Sequence, residues 1–173
     1  KDGAEVRADL YVDCTGFRAE LIGEALESSF RSVQDKLFTN RAMTCRIPYE
    51  DPNAAIESYT LATAHEAGWT WDIGLSGVRG IGCVYSGDHI DDDRAQAILR
   101  DYVGPRFDES ATRVLAFEAG YREKQWIGNC VSIGLSAGFL EPLEATGLVL
   151  IEAAVGMLAE LFPHHGPVSA PAR

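Results

Sequence analysis

Val-Ser-Ile-Gly-Leu-Ser-Ala-Gly-Phe-Leu-Glu-Pro-Leu-Glu-Ala-Thr-Gly-Leu, residues 131 to 148, is the most informative stretch of this chain. It opens as an apolar strand and ends in a helical pattern. Gly134 and Gly138 allow close backbone turns, and Pro142 suits a first helical turn, where no N–H donor is needed. The stretch therefore predicts a strand, a glycine turn and a helix. The first turn of that helix is predicted to contain Glu144, Thr146 and Gly147.

A helix start of this kind has two interpretations. Its free N–H groups and the positive end of the helix dipole suit an anion, a phosphate or the carbonyl edge of a cofactor ring. A carboxylate such as Glu144 is equally explained by stabilisation of the dipole, and Thr146 and Gly147 by close packing. The residues alone leave both interpretations open.

The run from Gly134 to Gly147 closely resembles one family, the flavin-dependent halogenases typified by tryptophan halogenase. The shared pattern is Gly-Leu-Ser-x-x-Phe-x-Glu-Pro-Leu-Glu-x-Thr-Gly. The resemblance implies that Glu144 is the catalytic glutamate, which orients the halogenating agent or the substrate. It further implies that Thr146 and Gly147 bind the halide beside the flavin. The cofactor-binding residues implied in this run are Gly134, Gly138 and Pro142.

A second stretch carries the same resemblance. Residues 6–14 alternate in polarity and 21–30 have helical spacing, which predicts a strand, a glycine turn and a helix. Between them, Asp13-Cys14-Thr15-Gly16-Phe17-Arg18 resembles the halogenase sequence Asp-Cys-Ser/Thr-Gly-Phe-Arg. The resemblance adds Thr15 and Gly16 to the cofactor-binding residues, although a glycine at such a turn is often structural.

The middle of the chain has a different pattern. Short alternating runs predict antiparallel strands, and the glycines between Ser76 and Gly80 predict a tight hairpin. An acidic start and helical spacing predict a helix over 91–103. The predicted strands are 38–47, 56–64, 68–75 and 80–86, followed by alternating runs at 114–121 and 126–133.

Trp69-Thr70-Trp71-Asp72-Ile73-Gly74 resembles the halogenase signature Trp-x-Trp-x-Ile-Pro, with Gly74 in the position of the proline. Spacing alone favours a strand whose tryptophans line one face of a core. Beside the Gly134 to Gly147 match, Trp69, Trp71 and Ile73 are interpreted as the family signature, which is associated with halogenation rather than direct oxygenation. The glycine leaves a non-halogenating flavin monooxygenase open as an alternative.

The amino-acid composition limits which classes of partner and site the chain can have. The chain has 173 residues, 46% of them hydrophobic, and a formal net charge of −11, which disfavours nucleic acid and anionic membranes as partners. Four scattered cysteines without a Cys-x-x-Cys pair, together with the spacing of the histidines, indicate reduced thiols and no metal site. Neither a signal peptide nor a membrane span is predicted. We expect a cytoplasmic protein and a possible homodimer.

The fold class expected is α/β: part of a flavoprotein with two dinucleotide-binding domains, monooxygenase-like, with a mixed or antiparallel substrate-side sheet and a long buried C-terminal helix. Residues 1–36 and 121–163 are assigned to the FAD-binding domain, 37–120 to the substrate-side sheet and 164–173 to a loose tail. The sequence has no Gly-x-Gly-x-x-Gly to hold a pyrophosphate. The resemblance places that fingerprint, and an active-site lysine, in a preceding part of the family sequence.

The function implied by the resemblance is that of a flavin-dependent halogenase, of which this chain is an internal fragment. FAD, reduced by a separate flavin reductase, would react with oxygen and with chloride or bromide to give hypohalous acid. That acid would halogenate a small electron-rich aromatic substrate such as tryptophan or an indole. The fragment alone is expected to bind FAD weakly or not at all and to be inactive. The alternatives are a non-halogenating monooxygenase relative and a catalytically inactive interaction module.

Overall fold

The computed structural model describes residues 3–162, so the tail predicted at 164–173 lies outside the described residues. The chain divides into two units. The first comprises the residues up to Leu37 and those from Glu118 onward, and the second is Phe38–Phe117. The assignment of the first unit to a flavin and the second to a substrate stays a prediction.

The described residues form two α-helices and eleven strands in an α/β arrangement. The helices are α1 (Asp92–Val103) and α2 (Thr146–Leu161). The strands are β1 (Tyr11–Asp13), β2 (Phe30–Ser32), β3 (Arg41–Pro48), β4 (Thr60–His65), β5 (Gly68–Leu75), β6 (Val78–Tyr85), β7 (Arg113–Ala116), β8 (Gly120–Arg122), β9 (Trp126–Ile127), β10 (Cys130–Ser132) and β11 (Gly138–Phe139).

The second unit is built on a five-stranded antiparallel sheet in the order β4-β5-β6-β3-β7. The predicted hairpin is confirmed: Leu75 pairs with Val78, and Ser76 and Gly77 form the two-residue turn between them. Gly77 has φ +76°, a conformation that glycine adopts without a steric cost. The antiparallel sheet thus follows from alternation and turn chemistry.

Helix α1 covers one face of this sheet. Its N-terminus is capped by Asp91, whose carboxylate accepts the Arg94 N–H at 2.8 Å, and it ends at Gly104 with φ +76°. Ala95 and Leu99 are fully buried against the sheet. The residues of the sheet in this core are Met43, Cys45, Ile47, Ile81, Cys83 and Tyr85.

The first unit contains two small sheets. One joins β1 to β10 in parallel and β10 to β9 antiparallel, and the other has the antiparallel order β11-β8-β2. A small core of Ala19, Ile22 and Cys130 lies in this unit. The first sheet brings the two sequence motifs together, because β1 precedes one of them and β10 precedes the other.

Two predictions near the N-terminus are wrong in extent. The strand predicted over 6–14 is only β1, and the helix predicted over 21–30 is a short π-helical turn, Glu20–Ala25, followed by β2. The buried carboxylate of Asp13 accepts the N–H groups of Leu21 and Ile22 at 3.0 and 2.8 Å. Those donors therefore do not start a regular α-helix.

The predictions for α2 also need correction. The α-helix begins at Thr146, not at Pro142, because a 3₁₀ turn, Leu143–Ala145, intervenes. None of its residues is buried, so the expected long buried helix is wrong for this structure. The helix is predominantly apolar, and the short strands and turns of the first unit do not cover its whole surface. The apolar side chains left more than half exposed are Leu148, Val149, Leu150, Val155, Met157 and Leu161.

Among residues 3–162, no helix has both the length and the apolar character needed to cross a membrane.

Candidate active site

A cavity of about 530 Å³ lies in the first unit, beside the start of α2. This volume falls in the range of pockets that hold small molecules or cofactors. Four of the predicted site residues line it: Gly134, Gly138, Pro142 and Gly147. Thr15, Gly16, Glu144 and Thr146 are not among its lining residues.

The glycines of the cavity wall differ in why they are needed. Gly134 has φ +77°, and a Cβ there would meet Ile151 at an ordinary 3.7 Å, so its requirement is conformational. Gly138 is needed for space, because its Cβ would lie 2.6 Å from the Gly120 carbonyl oxygen on the neighbouring strand. Gly138 therefore has a structural reason to be glycine whether or not a ligand approaches it.

The entry to α2 has an unusual backbone. Glu144 and Ala145 both have φ 53°, in the left-handed region. This conformation costs about 1–2 kcal/mol per residue for residues with a Cβ. Consecutive strained residues of this kind persist where the surrounding structure enforces them, and they cluster at functional sites. The strain therefore marks the segment between Pro142 and Thr146 as a candidate functional segment.

The start of α2 lacks a side-chain cap within the described residues, and its first turn contains no acidic residue. The Thr146 N–H is accepted by the Leu143 carbonyl oxygen. The Thr146 hydroxyl donates to the Glu141 carbonyl oxygen at 3.1 Å. The next N–H groups, beginning with that of Gly147, are left for water or an anion, because the first turn of an α-helix has no internal acceptors for them.

Glu144 lies just before the helix rather than in its first turn, which corrects the sequence prediction. The left-handed backbone turns the residue out of the helical path, and its side chain is exposed. Its carboxylate has no hydrogen-bond or ion-pair partner among residues 3–162. The described helix N–H groups therefore do not occupy this carboxylate, and its oxygens stay available to a ligand.

The Asp13–Gly16 turn is organised differently. The Asp13 carboxylate is fully buried and accepts the hydroxyl of Thr15 at 2.6 Å and its N–H at 3.0 Å, in addition to the N–H groups of Leu21 and Ile22. Burial raises the pKa of Asp13, but these hydrogen bonds outweigh it, so the net pKa is lowered. Asp13 is not among the site residues predicted from the sequence, although an Asp followed two residues later by Thr is typical of a turn.

Thr15 stabilises the same turn, because its hydroxyl oxygen also accepts the Glu20 N–H at 2.8 Å. Gly16 has φ +72° and nothing within 4 Å of a would-be Cβ, so it borders open space. The next residue, Phe17, packs edge-on against Phe139, with 5.7 Å between ring centroids. This contact places the Thr15–Gly16 turn next to the wall of the cavity.

The signature residues lie in the second unit, on the face of its sheet opposite α1. Trp69, Trp71 and Ile73 alternate with Thr70 and Asp72, which face the side of the α1 core. The two indoles are neighbours, with 6.0 Å between ring centroids. The two tryptophans therefore lie on the face of the sheet that points away from the α1 core, and their role as a signature stays a prediction.

At Gly74 the backbone is tightly enclosed. A Cβ there would lie 3.0 Å from Ile56 Cγ2 and 3.1 Å from the Tyr49 hydroxyl. A proline ring in this position would require both side chains to move. The glycine thus fits a local arrangement that proline would change.

The structure also places Cys83 Sγ 3.2 Å from His65 Nε2, a pair that sequence spacing did not reveal. Burial raises the pKa of Cys83 to about 12 and lowers the pKa of His65. Both groups are therefore neutral near pH 7, and the thiol is not a nucleophile. In the described part of the chain, no cluster of three or more His, Cys, Asp or Glu could hold a metal ion.

Comparison with known proteins identifies the family. The family model for tryptophan halogenase matches residues 1–171. The tryptophan 6-halogenase SttH of Streptomyces toxytricini is 42% identical over 163 residues, which are 94% of this chain and 31% of SttH. The tryptophan 7-halogenase RebH of Lentzea aerocolonigenes is 39% identical over 90% of this chain and 29% of its own length.

Solved structures agree on the fold. The crystal structure of SttH has a TM-score of 0.90 at 42% identity, covering 95% of this chain and 32% of that one. BrvH, a flavin-dependent halogenase from Brevundimonas sp. BAL3, has a TM-score of 0.86 at 42% identity, covering 94% and 33%. These matches confirm the α/β fold predicted from the sequence. The chain spans about a third of the length of these relatives and belongs to the tryptophan halogenase family.

Proposed function

We propose that the protein carrying this chain is a flavin-dependent halogenase, in which reduced FAD, oxygen and chloride or bromide yield hypohalous acid for halogenation of a small aromatic substrate. Tryptophan or another indole is the proposed substrate class. Membership of the family supports this proposal. The observation that carries it is the strained, uncapped start of α2 beside a cavity of about 530 Å³.

The cavity fits the ring end of a flavin. Its wall is largely apolar, and Gly134 and Gly147 expose backbone where a flat ring could approach closely. We propose that Gly134, Gly138 and Pro142 contact that ring, with Thr15 and Gly16 on the adjoining turn. When bound, the reduced flavin supplies the reducing equivalents that turn oxygen into an oxidant for halide. Because the chain lacks a Gly-x-Gly-x-x-Gly, we expect the 173 residues alone to bind FAD weakly and not to halogenate.

The halide site is proposed at the first turn of α2. Chloride needs donors and no competing carboxylate, and the described first turn of α2 provides free N–H groups without an acidic residue. The Gly147 N–H is the first such donor. The Thr146 hydroxyl would be the second, after turning away from the Glu141 carbonyl oxygen that it contacts at 3.1 Å.

Glu144 is the proposed catalytic residue. Its carboxylate is exposed, unpaired within the described residues and fixed by a left-handed backbone, so it is available for a hydrogen bond to hypohalous acid or to the substrate. A positioned hydrogen-bonding carboxylate can orient the electrophile toward the ring that it attacks. Trp69, Trp71 and Ile73 are proposed as the family signature in the other unit.

Partners and location are proposed as the sequence indicates them. A separate reductase would supply reduced FAD, and the apolar surface of α2 would favour a homodimer or another covering partner. Among the described residues all four cysteines are free, three of them buried, in keeping with a reducing compartment such as the cytoplasm.

A second candidate function is direct oxygenation of the substrate by a flavin monooxygenase. Gly74 favours it, because the enclosed glycine occupies the position of the signature proline and gives this end of β5 another shape. The two functions differ in one requirement, since only halogenation consumes halide.

The test uses the full-length protein with FAD, a flavin reductase, oxygen and tryptophan, and it compares chloride, bromide and halide-free buffer by mass spectrometry. The proposal expects a product whose mass follows the halide supplied, and no product without halide. A hydroxylated product formed at the same rate in all three buffers would establish the monooxygenase instead.

A further inference from the structure

The second unit has a cavity of its own, on the face of the sheet opposite α1. Its volume is about 630 Å³. It is bordered by Trp71, Ile73 and Leu75 of β5 and by polar residues of the neighbouring strands. The polar residues that matter here are Thr44, Arg46 and Arg113.

Strand register explains how this cavity is built. Trp71 pairs with Gly82, Gly82 with Thr44 and Thr44 with Arg113, which forms one row across four strands. Ile73, Gly80 and Arg46 form the next row on the same face. The Trp71 ring lies over Gly82, where a Cβ would come within 2.1 Å of it. Gly82 of β6 thus leaves room for the Trp71 indole, which forms a flat wall of the cavity beside the two arginines.

The two arginines differ from every other arginine of the unit. All residues from Phe38 to Phe117 are described, and five of the seven arginines there form ion pairs. Within residues 3–162, the side chains of Arg46 and Arg113 have neither an ion-pair nor a hydrogen-bond partner. The ion pairs are Arg41–Asp92, Arg79–Asp72, Arg94–Glu66, Arg100–Glu109 and Arg106–Glu50.

Two unpaired guanidinium groups in one cavity are notable in a chain with a net charge of −11. Arg46 is two residues from Thr44, the partner of Arg113, so the two arginines are diagonal neighbours on one face, with Cα atoms about 7–8 Å apart. Both long side chains can reach a single anion, and guanidinium groups match the planar geometry of a carboxylate.

We propose that this cavity binds an aromatic carboxylate, with the carboxylate on Arg46 and Arg113 and the ring against Trp71. The apolar wall selects a flat ring, and the two positive charges select a small anion. A polyphosphate is disfavoured because the net charge of the chain repels it. This inference goes beyond the proposed function: it concerns binding by the second unit and requires neither flavin nor halide.

The experiment measures equilibrium binding of 2-naphthoate to the flavin-free, full-length protein by calorimetry, with 2-naphthalenemethanol as the uncharged probe. Arg46→Gln and Arg113→Gln are each expected to weaken 2-naphthoate binding about tenfold or more, the effect of losing a charge-assisted hydrogen bond. Both side chains are exposed and have no partner among the described residues, so the variants should fold.

Arg31→Gln is the matched control, because it removes the same charge from an exposed arginine outside the cavity that has no partner in the described part of the chain. It is expected to change the affinity less than twofold, and the alcohol is expected to bind at least tenfold more weakly than the acid. Equal affinity for acid and alcohol, unchanged binding in both arginine variants, or an equal loss in Arg31→Gln would overturn the proposal. Because no turnover is measured, these outcomes are independent of whether the protein halogenates.

Discussion

The first unit has two turns that carry the sequence motifs, Asp13–Gly16 and Glu141–Gly147. They differ in the burial and the hydrogen bonding of their carboxylates. Asp13 is fully buried and its oxygens accept four hydrogen bonds from the following turn. Glu144 is exposed, has no partner in the described chain and is held in a left-handed conformation.

This difference distinguishes a carboxylate that stabilises the fold from one that is available to a ligand. A carboxylate whose hydrogen-bonding capacity is filled by its own turn has little left for a ligand, whereas an unpaired one on a strained backbone is available for chemistry. Both turns match the family, but only the second has uncommitted groups at a helix start. The comparison therefore predicts that loss of the carboxylate lowers stability in the first turn and lowers activity in the second.

The largest effect is expected from Glu144→Gln in the full-length protein. Loss of a positioned acid–base or hydrogen-bonding carboxylate typically lowers the rate by about 100-fold or more. Halogenated product per minute is the measurement. The thermal midpoint should stay unchanged, because the Glu144 carboxylate has no hydrogen-bond or ion-pair partner in the described part of the chain. Glu141→Gln is the control. If Glu141→Gln abolishes turnover while Glu144→Gln retains it, the catalytic assignment is wrong.

Asp13→Asn is expected to act on stability. Breaking a buried, hydrogen-bonded carboxylate site should cost about 3 kcal/mol of unfolding free energy. The folded pKa of Asp13 is lowered below its unfolded value, so this contribution is complete above about pH 4 and declines as the pH falls through the folded pKa. Urea denaturation at pH 6 and pH 3 measures it. The gap between variant and parent should narrow at pH 3, and an unchanged gap would contradict the assignment.

Thr146→Val should act on halide use. Loss of a hydroxyl that donates to an anion is expected to raise the KM for chloride about tenfold, with a smaller change in kcat. Thr146→Ser keeps the hydroxyl and should restore the KM. Steady-state rates over a chloride series give both parameters. A KM that is unaffected in the valine variant would remove Thr146 from the halide site.

The smallest effect is expected from Ala145→Gly. Glycine adopts the left-handed conformation without steric cost, so the variant should unfold with about 1 kcal/mol more free energy. Asp91→Ala, at the capped start of α1, should instead lose about 1 kcal/mol. Thermal denaturation of both variants tests the contrast. A destabilised Ala145→Gly variant would show that the left-handed pair is not strained.

Local patterns predicted the second unit well. The bounds of β5 coincide with the predicted 68–75, and α1 begins one residue after the predicted start because Asp91 is its cap. In both cases the deciding information is local: alternation for the strand, and acidic residues with helical spacing for the helix. The motif around Glu144 identified the family for the same reason, since it is a continuous run of residues.

Other features depend on contacts that no local pattern records. The left-handed pair Glu144–Ala145 contains neither glycine nor asparagine, the usual signals for that conformation. The N-terminal helix is short because Asp13 accepts backbone N–H groups at its start. The exposure of α2 depends on which parts of the chain pack against it. The placement of Arg46 beside Arg113 depends on strand register, which brings together residues 67 positions apart in sequence.

The most direct test of the account is the anomalous scattering of bromide in crystals of the full-length protein grown with the halide. The account predicts a peak in contact with the Gly147 N–H, with the Thr146 hydroxyl turned toward it and away from the Glu141 carbonyl. A peak confined to other positions, with Thr146 still bonded to Glu141, would contradict the claim that the uncapped start of α2 is the halide site.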